Sequence, residues 1–177
     1  MLHRPSRTVA SAALALAAAS VPLTASAGGY IALDGSSVTL GEAFDEDLNP
    51  RGGRLRLGLR VAEAFDVEVQ AGVTHDDDTP SFERFDASWA GIYLKAYLPV
   101  GDRSAFYALG GAASVELTQT VGGVEFADER GDFSFGVGLE TSLTERLDLP
   151  ADWMRYVGDE GAFERIDAAS LGLKLYF

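Results

Sequence analysis

Residues Arg54–Val61 alternate without a break. Leu55, Leu57, Leu59 and Val61 share one parity, and Arg54, Arg56, Gly58 and Arg60 share the other. Successive side chains of a strand point to opposite faces, so this segment has one aliphatic face and one face carrying three guanidinium groups. A helix would scatter those arginines around its axis. The scheme recurs along the chain. Phe65, Val67, Val69, Ala71 and Val73 oppose Asp66, Glu68, Gln70, Gly72 and Thr74. Ile92, Leu94, Ala96 and Leu98 oppose Tyr93, Lys95 and Tyr97; Phe133, Phe135, Val137 and Leu139 oppose Ser134, Gly136, Gly138 and Glu140. Leu171, Leu173, Leu175 and Phe177 oppose Ser170, Gly172, Lys174 and Tyr176.

Three further strands are less regular. Ile31 and Leu33 oppose Asp34 in the first, and Leu147, Leu149, Ala151 and Trp153 oppose Asp148 and Asp152 in the seventh. Pro150 lies within that seventh strand, so a bulge or a fray is expected there. The fifth strand is apolar on both parities around Ala108–Ala113, which leaves its facing open. The chain thus reads as eight strands, at about 30–40, 53–62, 65–75, 88–99, 104–118, 132–143, 147–157 and 165–177. Tight turns at Ala62–Phe65, Val100–Arg103 and Leu143–Arg146 alternate with longer loops at Gly41–Gly52, Asp76–Ala87, Gln119–Gly131 and Gly158–Glu164. Short turns at one end and long loops at the other mark an all-β, eight-stranded antiparallel up-and-down transmembrane barrel, with periplasmic turns and extracellular loops. A barrel in water would alternate too, but its apolar face would point inward and its outer face would be richly charged. Here the apolar face is nearly free of charge, and the other is too polar for a dry core.

Composition narrows the setting. The 177 residues hold no cysteine, which excludes a disulfide scaffold and any Cys-ligated metal site. The net charge is −13, so a nucleic-acid partner is not expected. Residues 1–27 read as a cleaved signal peptide: Arg4 and Arg7, an apolar run from Val9 to Ala19, and the small-residue site Ala25-Ser26-Ala27. No Cys follows, so a lipoprotein anchor is not expected. The barrel domain would occupy residues 28–177, where 12 basic residues face 27 acidic ones, a net charge of −15.

Three stretches carry a resemblance. The chain ends Ser-Leu-Gly-Leu-Lys-Leu-Tyr-Phe, and this pattern resembles the C-terminal signal by which outer-membrane barrels are recognised for insertion. The matching positions are Ser170, Gly172, Leu175 and Phe177. The stretch Ala96–Arg103, followed by Phe106 and Tyr107, resembles the fourth strand, turn and fifth strand of the outer-membrane protein A-like β-barrel family, also called porin-family outer-membrane β-barrel proteins. Trp153–Tyr156, followed by Gly158 and Asp159, is similar to that family's seventh strand. The resemblance implies an integral protein of the Gram-negative outer membrane. Its partners would be outer-membrane lipid, lipopolysaccharide and the barrel-assembly machinery. The family's separate peptidoglycan-binding domain is not expected, since the sequence ends at the last strand. Leu109, where a polar lumen residue is expected, and Pro150 depart from the pattern.

An eight-stranded barrel leaves an interior just wide enough for side chains. The inward parity supplies Arg54, Arg56, Arg60, Lys95 and Lys174, and against them Asp34, Asp66, Glu68, Glu140 and Asp152. An uncompensated charge in so confined a space is costly, so these groups are expected to pair. Arg60 is expected to meet Asp66 or Glu68 across the turn. The strand-two arginines and Lys95 are the expected partners of Glu68 and Glu140. Such a network either plugs the barrel and fixes its register, or exchanges partners as a gate. The plug is the expectation, and inward glycines, which would leave room for water, keep the gate as the alternative.

The loops carry an acidic excess. Glu42, Asp45, Glu46 and Asp47 belong to the first; Asp76, Asp77, Asp78, Glu83 and Asp86 to the second; Glu125, Asp128, Glu129 and Asp132 to the third or beside it; Asp159, Glu160 and Glu164 to the fourth. Solvation accounts for most of this; the sharper reading is divalent-cation binding, since carboxylate oxygens are hard ligands for Ca²⁺, and an extracellular partner at these loops is a further expectation. No calcium-loop spacing is present, so no metal site is expected, and no cofactor motif is found. His75, beside Asp76–Asp78 with Ser81 and Ser88 nearby, forms no nucleophile motif, so no enzyme is expected. The expected role is structural or surface-interacting, in envelope integrity or adhesion. A narrow gated channel is the alternative, and a lipid-modifying enzyme a more distant one. Deleting Phe177, or making it charged, should lower outer-membrane levels severalfold in fractionated cells; normal levels would contradict an assembly role for this segment.

Overall fold

The computed structural model describes residues 28–40, 51–76, 84–121, 124–158 and 165–177. Their strands are β1 (Gly29–Leu40), β2 (Arg51–Ala62), β3 (Phe65–Asp76), β4 (Arg84–Val100), β5 (Ser104–Val121), β6 (Val124–Ser142), β7 (Leu147–Gly158) and β8 (Arg165–Tyr176). Each pairs antiparallel with its sequence neighbour, and β1 pairs with β8 to close the barrel. At the seam, Tyr30 is opposite Tyr176, and the Phe177 N–H donates to the Gly29 carbonyl at 3.1 Å. Closure leaves the barrel wall without an edge, and an edge is what a bilayer cannot satisfy.

The alternation in the sequence becomes inside and outside. Ile31, Leu33, Leu59, Ile92, Leu94 and Leu173 are exposed on the outer wall, while Asp34, Arg56, Asp66, Glu68, Lys95 and Lys174 are buried. β5 resolves the same way: Tyr107, Leu109, Ala113 and Val115 face in, and Phe106, Ala108 and Ala112 face out. The β4–β5 turn closes through Gly101, whose φ of 71° is costly for other residues.

Two expectations need correction. β4 begins at Arg84 rather than near 88, β5 runs to Val121, and β6 begins at Val124 rather than near 132. Asp76 and Asp86, read as loop, lie in β3 and β4. Glu125, Asp128, Glu129 and Asp132 lie on β6. At Pro150 the strand frays rather than bulges. Its pairing with Glu140 is kept, but the β7–β8 ladder skips Leu149 and Pro150 and resumes in the same register, from Asp148↔Lys174 to Ala151↔Leu171. A register shift lies farther on, between Arg155 and Val157. The signal peptide and the other loop acids, Glu42, Asp45, Glu46, Asp47, Asp77, Asp78, Glu83, Asp159, Glu160 and Glu164, fall outside the described residues.

Leu57, on the outward parity midway along β2, provides a test of facing. Leu57→Arg should destabilise the refolded barrel in vesicles by about 2–4 kcal/mol in urea titrations. A neutral outcome would exchange inside and outside.

Candidate functional site: the barrel lumen

All ten charged residues singled out from the sequence point into the lumen, and they sort into two tiers. The upper tier is a closed ring. Arg54 donates from Nε to Asp34 Oδ2 at 2.9 Å and from Nη2 to both Asp152 oxygens at 2.8 and 2.7 Å. Arg56 Nη2 donates to the other Asp34 oxygen at 2.7 Å, and its Nη1 lies 3.5 Å from Asp152 Oδ2. Two guanidinium groups and two carboxylates therefore alternate around one circuit, and all four side chains are essentially fully buried. Asp34 and Arg54 are register partners on β1 and β2, whereas Asp152 comes from β7, so Arg54 reaches across the lumen.

Neutral groups complete the ring. Tyr107 donates to Asp152 Oδ2 at 2.9 Å. Arg54 Nη1 donates to Tyr156 Oη at 3.2 Å and to Gln70 Oε1 at 3.4 Å. Gln70 in turn donates to Glu68 at 2.7 Å. Glu68 pairs with a strand-two arginine as expected, but loosely: Arg56 Nη1 lies 3.8 Å away, and the short bond to Glu68 comes from the Tyr30 hydroxyl. The arginines are taken up by the two aspartates, which reach them in better geometry.

The lower tier lies toward the turn end. Glu140 holds two ammonium groups, Lys174 at 2.9 and 3.1 Å and Lys95 at 3.1 Å. Lys95 is a partner expected of Glu140, and Lys174 takes the place that a strand-two arginine was expected to fill. Tyrosine rings surround those lysines: Lys95 Nζ is 3.7 Å from the Tyr107 ring centre and Lys174 Nζ is 4.3 Å from that of Tyr30. Desolvated contacts of this kind contribute up to about 2 kcal/mol. Tyr97 accepts from Lys174 at 3.1 Å and donates to Asp66 at 2.6 Å. Arg60 meets Asp66, its register partner across the turn. Below this tier the mouth opens as a cavity of about 670 Å³, lined by Arg60, Arg103, Glu145, Asp148 and Tyr176 among others.

Sequence reasoning passed over two features. Asp148 is a sixth buried acid, accepting from Tyr176 at 3.0 Å. More telling, all six tyrosines point inward and each donates its hydroxyl proton: Tyr30, Tyr97, Tyr107 and Tyr176 to carboxylates, Tyr93 to Ser134 and Tyr156 to Gln70. The signal was their common parity with the charged residues. The inward glycines are the seats of these rings rather than room for water. A Cβ at Gly58 would collide with Tyr30, at Gly138 with Tyr107 and at Gly72 with Trp89.

The loop-end half of the lumen also differs from the polar interior expected. Val38, Trp89, Val115, Met154, Ile166 and Ala168 are buried there in one cluster that continues to Leu109, so Leu109 belongs to an apolar layer. Of the C-terminal pattern, Ser170 Oγ bonds Ser36 Oγ at 2.9 Å, and a side chain at Gly172 would strike Asp34. Leu175 and Phe177 face outward. The side chain of His75 and all of Ser81 fall outside the described residues, while Ser88 lies in β4.

A profile of the outer membrane protein beta-barrel domain matches residues 9–177. The chain belongs to this family. It is an integral β-barrel of the Gram-negative outer membrane. Among solved structures it is similar to Neisserial surface protein A, with a TM-score of 0.72 at 16% identity over 84% of this chain and 97% of that one. Ail, the attachment invasion locus protein of Yersinia pestis, gives 0.66 at 14% identity over 85% and 99%. The N-terminal barrel domain of Pseudomonas aeruginosa OprF gives 0.62 at 15% over 84% and 97%. At these identities the shared property is the fold. No curated protein sequence matches the chain.

Within this outer-membrane barrel, Asp152→Ala should leave Arg54 and Arg56 short of an anion. The expected loss is about 3–5 kcal/mol in urea unfolding of the refolded protein. Asp148→Ala, which removes the acceptor of one tyrosine hydroxyl, should lose about 1–3 kcal/mol.

Proposed function

We propose that this protein is a closed, non-conducting barrel whose role is to present a surface for contact outside the cell. The observation that carries this reading is strand length. β4, β5 and β6 run 17, 18 and 19 residues, against 12 for each other strand. A strand of 9–11 residues already crosses a bilayer. The β5–β6 hairpin stays paired out to Val121↔Val124, about 20 Å of additional sheet at the usual rise per residue. Among the described residues, the β6–β7 ladder begins only at Phe135, so the backbone of Val124–Phe133 pairs with β5 alone. A sheet edge outside the membrane can accept a strand from a partner.

Charge gives the class of partner. The projecting segments carry Asp86, Glu116, Glu125, Asp128, Glu129 and Asp132 against Arg84 and Arg130. Ail has been solved with the heparin analogue sucrose octasulfate, a polyanion. The excess here is acidic, so a cationic protein surface is the better match. On the outer wall, Trp153 and Arg155 lie at the loop end of β7, suited to lipid and lipopolysaccharide headgroups. The barrel-assembly machinery would act earlier, on the C-terminal strand. The channel reading is disfavoured by rings filling the lumen glycines. An enzymatic role has no support in the residues described.

Replacing Glu116–Glu129 with Asn-Gly shortens the hairpin while keeping a turn that suits it. Cells carrying this variant should insert the barrel at normal levels and adhere at least tenfold less to surfaces coated with a basic protein. Adhesion of the parent should fall as salt is raised. Unchanged adhesion by the variant would sink the surface-contact role.

A further inference from the structure

We infer that ion passage is barred by the apolar collar in the loop-end half of the lumen, and that the charged network beneath it holds the fold rather than the seal. This rests on the closed-barrel reading and assigns the closure to particular residues.

The collar and the network are stacked in the same order on five strands. Val38 lies beyond Asp34 on β1, Trp89 beyond Lys95 on β4, and Val115 beyond Tyr107 on β5, each nearer the loop end. Met154 lies beyond Asp152 on β7, and Ile166 and Ala168 lie beyond Lys174 on β8. These six collar residues are at most 6% exposed and belong to one contiguous cluster. Toward β3 the Trp89 ring covers Gly72, and across the lumen its centre is 5.3 Å from that of Tyr156 on β7.

The two layers respond differently to water and ions. The network is rich in donors and acceptors, so a group that loses its partner there can be met by water, at a cost in stability. The collar offers an ion few, the Thr74 hydroxyl and the Trp89 indole N–H among them, and the ion would have to shed most of its hydration shell among methyl and ring carbons. Narrow apolar constrictions exclude ions by staying dry. The collar also has a built-in bias toward wetting once it is loosened. Thr74 Oγ1 and Trp89 Nε1 are buried at this level without a hydrogen-bond partner, and both would gain from hydration. It is therefore a hydrophobic gate held shut by packing.

Single-channel recording of the refolded protein in planar bilayers tests this with three proteins. The parent should be silent. Val115→Thr with Ile166→Thr, which places hydroxyls in the collar, the first at nearly unchanged shape and the second with the loss of one methyl group, should give discrete steps at least tenfold more frequent than any in the parent. Glu140→Gln, which weakens the hold on both lysines, should stay silent. Heat-shifted migration on cold detergent gels reports whether each protein is folded, and Val115→Thr alone replaces the double variant if that one does not fold. A folded collar variant as silent as the parent overturns the inference, as does a conducting Glu140→Gln. Steps in the parent itself would overturn both this inference and the closed-barrel reading, whereas a silent collar variant beside a silent parent overturns this inference alone.

Discussion

The circuit of Arg54, Asp34, Arg56 and Asp152 is the interaction on which the rest of the structure depends. Four fully buried charges in a narrow lumen are tolerable only if each is paired and hydrogen-bonded at once. Satisfying Arg54 requires Asp34 from the neighbouring strand and Asp152 from across the barrel, so β1, β2 and β7 must stand in one stagger. A slip of one residue along any of them would turn its charge out into lipid. Pairing along the ladder sets neighbours, and the ring fixes strands that are not neighbours.

Other features follow from that circuit. Asp34 needs Gly172 behind it, because a side chain there would occupy its space. The C-terminal strand thus carries a glycine at a position the folded lumen demands. Tyrosines serve where a further charge would be too many: they fill volume, donate one proton each, and present ring faces to Lys95 and Lys174. The outer wall is left with aliphatic residues, phenylalanines and Trp153, so the polar aromatic groups that often mark a bilayer interface are concentrated inside. Above the charged tiers the interior becomes apolar, and the barrel is closed by two layers of different chemistry.

Much of this was legible in the sequence because period two is a strong signal where one face meets lipid and the other meets charge. It gave eight strands, their order and the facing of all but β5. Ala108–Ala113 offered small apolar residues on both parities, so only pairing with β4 and β6 decided which turned inward. The ends of β4, β5 and β6 were misplaced for a related reason. Beyond the bilayer both faces of a sheet meet water, the apolar half of the alternation disappears, and acidic strand residues such as Glu125 and Asp128 look like loop. Partners within the lumen were legible only where the ladder makes them adjacent, as with Arg60 and Asp66. Contacts across the lumen depend on the stagger of the closed barrel, which is why Lys95 was legible as a partner of Glu140 while Lys174, which takes the place of the arginines, was not.

The most direct test is a double-mutant cycle on Arg54 and Asp152, measured by equilibrium unfolding of the refolded barrel in vesicles. If the circuit locks distant strands together, Arg54→Ala and Asp152→Ala should each be strongly destabilising, and the double variant should recover about 1.5 kcal/mol or more relative to their sum. Single losses that add to within about 0.5 kcal/mol would show that the two residues stabilise the barrel independently, and would contradict the central place given to their contact.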